Sequence, residues 1–405
     1  MNKQQLRPVI SICSNHLKKV IEVSKNFKVI NLRYSTLAFK QCYNELQKNY
    51  PGINPVVIVE LAEKKEKLWK INQFITKLSM RYHVPIIGVH EILTHPSVIY
   101  TSFRAGILKA VEIKNAQSET WLNKLESTID EMYQIKVNHF DLPDTIHHTS
   151  SRLLVPGKNG KAILILGGMG AIEPLQKIIP ELSQDFPPII ICLSKNLPGL
   201  TELAAELDSH STVRVSLLSA GNTNLENGTV YITEMGNAFN FKSSTLPDSE
   251  KLQFSLHSEY AHKTSSETIK SVADFFGKDL VTVILGSELT DTNDGILHLI
   301  NNGVNFIIQN KATSRVYNNL DLLKTDKIST PKRIAAELIA NQLYDTLNQM
   351  RGLRKDTVFY NVPRHEIGKI YGRLVKKKHI RLTKKQTAKS YTATLSSTEG
   401  RDLCI

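Results

Sequence analysis

Apolar positions in the first 115 residues come in short, almost unbroken runs: PVISIC (8–13), KVINL (28–32), PVVIVEL (55–61), VPIIGV (84–89) and KAVEI (109–113). Runs of that length without alternation are what strands buried on both faces of a parallel sheet show. Between them lie segments of helical length and period, such as SNHLKKVIEVSKNF and KLWKINQFITKLSMRY. Five such β-α units predict a doubly wound α/β domain. From about 115 to 133 the pattern is helical again, and the polar DLPDTIHHTSSR follows without a period. That pair reads as an interdomain helix and linker. A second α/β series begins near residue 160 with the strands AILIL, PPIIICL, TVYIT, LVTVIL and VNFIIQ, and reaches about 323. A helix, RIAAELIANQLYDTLNQM, and a polar tail follow. The expected divisions are 1–115, 116–159, 160–345 and 346–405.

Composition adds little to this picture, and charge adds more. With 41% hydrophobic and 22% charged residues, the 405-residue chain has the make-up of a soluble globular protein. No apolar run approaches the roughly 20 residues that cross a bilayer. MNKQQLRPVISIC shows neither a signal-peptide core nor a cleavage site, so the expected location is cytoplasmic. Cys13, Cys42, Cys192 and Cys404 have no metal or disulfide spacing. The net charge is +13, yet residues 351–390 hold thirteen Lys/Arg against Asp356 and Glu366 and so carry +11 of it. A basic tail on a nearly neutral body fits an acidic protein, a nucleic acid or an anionic membrane. A solvated extension with no partner is the bland alternative. The tail has few aromatics for base stacking. Ile367, Ile370, Tyr371 and Leu374 recur at helical spacing, as in a basic amphipathic helix.

The stretch LILGGMGAIEPL (164–175) is the one local motif that bears on chemistry. An apolar run enters a glycine turn and leaves through a helix start. As a dinucleotide loop it fails, because Glu173 stands in the third glycine slot and would repel pyrophosphate. The following strand also ends in ICLSKN, without a ribose-binding acid. As a nucleophile elbow it offers Gly167, Gly168, Met169, Gly170 and Ala171, with no Ser, Cys or Thr.

Taken together, ILGGMGAIEPLQKIIPEL, the LPGLT segment, the DG region and GVNFIIQNKATSRVY (303–317) resemble the catalytic domain of the CheB family of chemotaxis protein-glutamate methylesterases. The resemblance implies a Ser-His-Asp hydrolase, with the serine in the glycine turn and the histidine after the next strand. The serine slot matches Gly168, and the histidine slot matches Lys195 with Ser194 and Asn196 beside it. The acid matches Asp291, with Asp294 the alternative. Glycine supplies no nucleophile and a lysine cation no base, so the resemblance implies a catalytic elbow that has lost its catalyst. A Ser194–Lys195 dyad would be the one rescue, but adjacent residues on an extended segment point to opposite faces.

The first series resembles the receiver domain that precedes that catalytic domain. The acid pair, phosphorylatable aspartate, hydroxyl and lysine of a receiver match Ser14 and Asn15, Glu60, His90 and Lys114. Magnesium wants carboxylate oxygens, which Ser14 and Asn15 lack. Glu60 is read as a structural partner of Lys114, or as a permanent mimic of an acyl-phosphate. His147 and His148 read as linker residues, and His257 and His262 as surface residues. No cofactor and no metal is expected. The expected architecture is α/β: two doubly wound parallel-sheet domains, flavodoxin-like and CheB-like, with a basic tail. The expected function is chemosensory signalling, in chemotaxis or type IV pilus motility. The chain would act by binding chemoreceptors or histidine-kinase proteins. A divergent methylesterase or deamidase, or a regulator held by its basic tail, are the alternatives.

Overall fold

A computed structural model describes residues 7–350 apart from 16, 18–20, 23–26, 63–64, 92–93, 114–118, 139–160, 196, 198, 246–251, 260–262, 287–290 and 318–331. It also describes the backbone of 362–363, 380–387, 390–396 and 402–404. The first five apolar runs are strands β1 (Arg7–Ile12), β2 (Phe27–Asn31), β3 (Val56–Glu60), β4 (Ile86–Glu91) and β5 (Lys109–Ile113). They form one parallel sheet in the order β2-β1-β3-β4-β5, the flavodoxin-like winding. Helices α1 (Thr36–Asn49), α2 (Lys65–Tyr82), α3 (Pro96–Ala105) and α4 (Glu119–Gln134) accompany them. Val9, Val56 and Ile58 face one core, while Ile10, Val57 and Val59 face the other. Two buried faces explain the unbroken apolar runs.

Helix α4 differs from its expected place between domains. Its Trp121, Leu125, Ile129 and Met132 are buried against Val9, Val56, Ile58 and Val111 of the first sheet. The apolar stripe at helical spacing is thus a further helical cover of that sheet. The polar stretch after it, with His147 and His148, lies outside the described residues, as does Lys114.

The second sheet has seven strands: β6 (Ala162–Gly167), β7 (Ile189–Leu193), β8 (Arg214–Leu217), β10 (Thr229–Glu234), β13 (Leu280–Leu285), β14 (Asn305–Gln309) and β15 (Lys332–Ile334). Their order is β15-β14-β13-β6-β7-β10-β8, and every pairing is parallel. Helices α5 (Ile172–Ile178), α6 (Leu200–Ser209), α7 (Ser265–Phe276), α8 (Asn293–Asn301) and α9 (Ala336–Met350) belong to this half. The expected boundary at 345/346 falls inside α9, whose Tyr344 meets the Phe186 ring edge-on at 4.6 Å. A small antiparallel sheet of β9 (Gly221–Leu225), β11 (Ala238–Thr245) and β12 (Leu252–Glu259) had no counterpart among the expected strands. His257 lies on β12, bonded to Asn222 at 2.9 Å and Glu259 at 3.1 Å. In the tail, β17 (Ile380–Thr387) and β18 (Ser390–Ser396) pair antiparallel, with β16 (Val362–Pro363) and β19 (Asp402–Cys404) beside them. Residues 367–374, expected as an amphipathic helix, lie outside the described residues. Among the described residues, no helix is long and apolar enough to cross a membrane.

Candidate functional site

In an open parallel sheet, ligands gather where the winding reverses, beyond the carboxyl ends of the strands. Here that point is between β6 and β13, because the chain leaves β6 for β7 on one side and returns through β13 on the other. Gly168 follows β6, Ser194 and Lys195 follow β7, and Asp291 precedes α8 after β13. All four line one cavity of about 380 Å³. The three family-matching positions therefore meet in space, and Asp294 is not among the residues lining that cavity.

The turn itself is tightly held. The Gly168 N–H donates to the Leu285 carbonyl at 3.0 Å, and its own carbonyl accepts from Ala171 at 3.2 Å. Gly170 adopts φ +80°, and Gly286 on the neighbouring loop adopts φ +65°. A Cβ on Gly286 would sit 2.3 Å from the Met169 carbonyl oxygen, so only glycine lets these two loops touch. Gln309, wholly buried at the end of β14, laces them further. Its Oε1 accepts from the Gly286 N–H at 2.9 Å and its Nε2 donates to the Thr313 carbonyl at 2.7 Å.

No acid-base relay runs through the matching side chains. Lys195 Nζ donates to the Lys263 carbonyl at 2.8 Å, and its Cε fills the space over Gly236. Ser194 Oγ turns instead to the Gly167 carbonyl, at 3.4 Å. The two neighbours thus bond to different carbonyls, in keeping with the alternation of an extended segment. Asp291 sits at φ +56°, and its carbonyl accepts from the Ser266 N–H (2.9 Å) and hydroxyl (2.5 Å). The cavity's hydroxyl-bearing lining residues are Thr128, Ser194 and Ser265, and no His or Cys is among the described residues that line it. Cys192, on β7, is fully buried, and burial pushes its thiol up to about 12. Among the described residues, no group of three or more His, Cys, Asp or Glu is placed to hold a metal ion.

The opposite wall of the cavity comes from the first half of the chain, through Arg104, Lys109, Lys124, Thr128 and Glu131. Sequence reading missed this wall, because contacts between domains leave no local period. Three contacts hold it in place. Glu206 on α6 accepts from Arg104 at 3.2 Å, from Gln176 at 3.0 Å and from the Tyr100 hydroxyl. Asn138 Nδ2 donates to the carbonyls of Lys311 (2.6 Å) and Ser314 (2.7 Å). Arg315, 5% exposed, donates to Ser79 Oγ at 3.1 Å and to the Gly106 carbonyl. Burial pushes its guanidinium down to about 10, against the opposing pull of Glu173. The one signal for this clamp was the single charge in the otherwise uncharged ATSRVY segment.

In the first sheet, two of the receiver-matching positions, Ser14 and Glu60, are in contact. The Ser14 N–H donates to the Glu60 carboxylate, and the Tyr34 hydroxyl donates to the Glu60 carbonyl at 2.8 Å. Asn15 follows directly, and His90 is buried on β4 with Nδ1 2.9 Å from the Glu91 carbonyl oxygen. The expected Glu60–Lys114 pairing cannot be placed, since Lys114 is outside the described residues.

A glycine-turn elbow at the switch point of a seven-stranded parallel sheet defines an α/β domain built for a site at its strand ends. Residues 163–338 match the family model for the CheB methylesterase. A curated protein-glutamate methylesterase/protein-glutamine glutaminase of Burkholderia thailandensis is 25% identical over 165 residues. That match spans 41% of this chain and 46% of the relative, so the chain spans under half of the relative's length. The crystal structure of the Thermotoga maritima CheB methylesterase catalytic domain is 23% identical, with a TM-score of 0.38, over 46% of this chain and 99% of that one. The second half of the chain is thus related to the CheB methylesterases.

Proposed function

We propose that the protein is a chemosensory signalling component of methylesterase descent that binds its partners and does not hydrolyse their esters. The observation that carries this reading is the elbow. The glycine turn lines the cavity with Gly168 at the position that the resemblance matches to the nucleophile, and no histidine is among the described residues that line the cavity. Acyl transfer from a methyl ester needs an oxygen or sulfur nucleophile and a base within hydrogen-bond reach. The Thr128 hydroxyl donates to the Lys124 carbonyl at 2.8 Å and the Ser194 hydroxyl to the Gly167 carbonyl at 3.4 Å, and Lys195 is committed as a donor to the Lys263 carbonyl. The first sheet supports a parallel loss of chemistry. With a serine and an asparagine where a receiver has its acid pair, little charge is present to offset a magnesium ion. Residues 1–134 are read as a pseudoreceiver and 160–350 as a methylesterase-type domain. The partners are chemoreceptor or histidine-kinase proteins, the context that the family relationship implies.

The test pairs two measurements on the full chain. Methanol release is followed from a methyl-esterified cytoplasmic receptor fragment, and co-sedimentation is followed with receptor and kinase fragments. Binding without methanol above the blank is the expected result. Methanol release that Lys195→Ala or Asp291→Ala abolishes would establish a divergent esterase. Failure to bind either fragment would remove the chemosensory role.

A further inference from the structure

Helix α2 runs for 18 residues along the first domain, and its two faces differ sharply in what they carry. Ile71, Phe74, Ile75 and Leu78 are buried against the sheet. The outward face reads Glu66, Trp69/Lys70, Gln73, Lys77 and Met80/Arg81, a stripe at i, i+3/i+4, i+7 and beyond. Two of its members are large and apolar: Trp69 is 61% exposed and Met80 37%. An exposed tryptophan on an ordered helix is unusual, because its ring gains most from being covered. The charge is one-sided as well. Lys67, Lys70, Lys77 and Arg81 are exposed against the single acid Glu66, and none of the four cations is ion-paired among the described residues. Two further large apolar side chains are exposed at and just before the start of α1. Tyr34, 40% exposed, packs edge-on to Phe74 at 5.9 Å, and Leu37 at the start of α1 is 66% exposed.

We infer that the outward face of α2 is a docking surface for an acidic amphipathic helix of a partner protein. Two apolar anchors about 16 Å apart on one helix, with cations between them, match the i, i+4, i+7, i+11 spacing of a helix laid alongside. Charge complementarity sets the sign of the partner: Glu/Asp on its flanks would face Lys70, Lys77 and Arg81 and speed encounter. The chain's own tail does not fit, because residues 351–390 are themselves strongly basic. A membrane fits less well than a helix. The wide apolar face of α2 is spent on its own core, and what remains outside is too narrow to insert among acyl chains. The surface lies on the first domain and does not depend on whether the elbow at Gly168 is inert.

The chain carries its own reporter. Of its two tryptophans, Trp121 is 4% exposed and Trp69 lies on the proposed surface, so iodide quenching reads Trp69. The probe is a synthetic helix of about 18 residues, with leucines at i, i+4, i+7 and i+11 and glutamates flanking them. Its charge-reversed twin has lysines for the glutamates. Vesicles of phosphatidylglycerol and phosphatidylcholine form the third arm. The acidic peptide is expected to shift Trp69 emission to the blue and reduce iodide quenching saturably, and the lysine peptide to do neither. Lys70→Glu/Lys77→Glu is expected to weaken binding at least about tenfold, as is raising salt well above the physiological range. Both lysines are exposed, and an unchanged far-UV CD spectrum checks the fold of the variant. No saturable change with the acidic peptide, equal binding of both peptides, or affinity unaltered by the double charge reversal would each overturn the proposal. So would protection of Trp69 by vesicles alone.

Discussion

Arg315 offers the sharpest test of how the two halves of the chain are joined. Its guanidinium is almost fully buried and reaches Ser79 Oγ and the Gly106 carbonyl across the interface. The drop from an ordinary 12.5 to about 10, net of the opposing pull of Glu173, corresponds to roughly 3 kcal/mol against the charged form. Each hydrogen bond from a charged group returns about 1.5–3 kcal/mol. Arg315→Met removes the burial penalty and the two bonds together while keeping most of the volume, so its stability should lie within about 1.5 kcal/mol of the parent. Arg315→Ala adds a cavity and should lose roughly 2–4 kcal/mol. Arg315→Lys should also lose stability, because both bonds leave the single Nη2 nitrogen and a more strongly hydrated, shorter-reaching ammonium would have to take that place out of water. The assay is urea unfolding of the full chain, with a Ser79→Ala cycle expected to show a coupling of about 1 kcal/mol. A lysine variant as stable as the parent would refute this account of a buried guanidinium clamp.

Two other substitutions follow from geometry described above. Gly286→Ala, at φ +65° and 2.3 Å from the Met169 oxygen, should lose about 3 kcal/mol or more in urea unfolding, against about 1 kcal/mol for Gly52→Ala, where a Cβ meets nothing within 4 Å. Equal losses would show that the elbow does not need the close approach. Glu267 closes a capping box with Thr264, whose N–H and hydroxyl bonds hold its carboxyl below the usual carboxylate range. A depressed folded value means support that is present above the ordinary carboxylate range and lost as pH falls through the lowered one. Amide exchange in the first turn of α7 should therefore quicken at acid pH, and Glu267→Gln should remove most of that pH dependence.

The strands buried on both faces were legible because sequence and burial coincide there. VVIVE and LVTVIL have no polar alternation, and the structure covers both their sides. The strands that escaped had no such run. In β9, GNTNL buries only Leu225, and β15 is three residues long, too short to carry a period. Helix α4 is legible as a helix but was expected between the domains, because an apolar stripe states that something is covered and not which sheet covers it. The same limit applies to the site. The loop positions Gly168, Lys195 and Asp291 follow from strand order. The wall bearing Arg104, Lys109 and Glu131 depends on how two separately folded layers meet. Arg315 shows what a trace of such a meeting looks like: one charge where the neighbouring residues are apolar or small.

Strand β6 is hydrogen-bonded along both edges, to β13 and to β7, and its six residues are all buried. The corner that follows it is therefore needed to route the chain through the middle of the sheet, whatever side chain stands at position 168. Folding alone suffices to maintain its shape. Backbone geometry at such a corner is a record of architecture, and a search for activity among proteins built this way should weigh the atoms projecting from the corner above the corner itself.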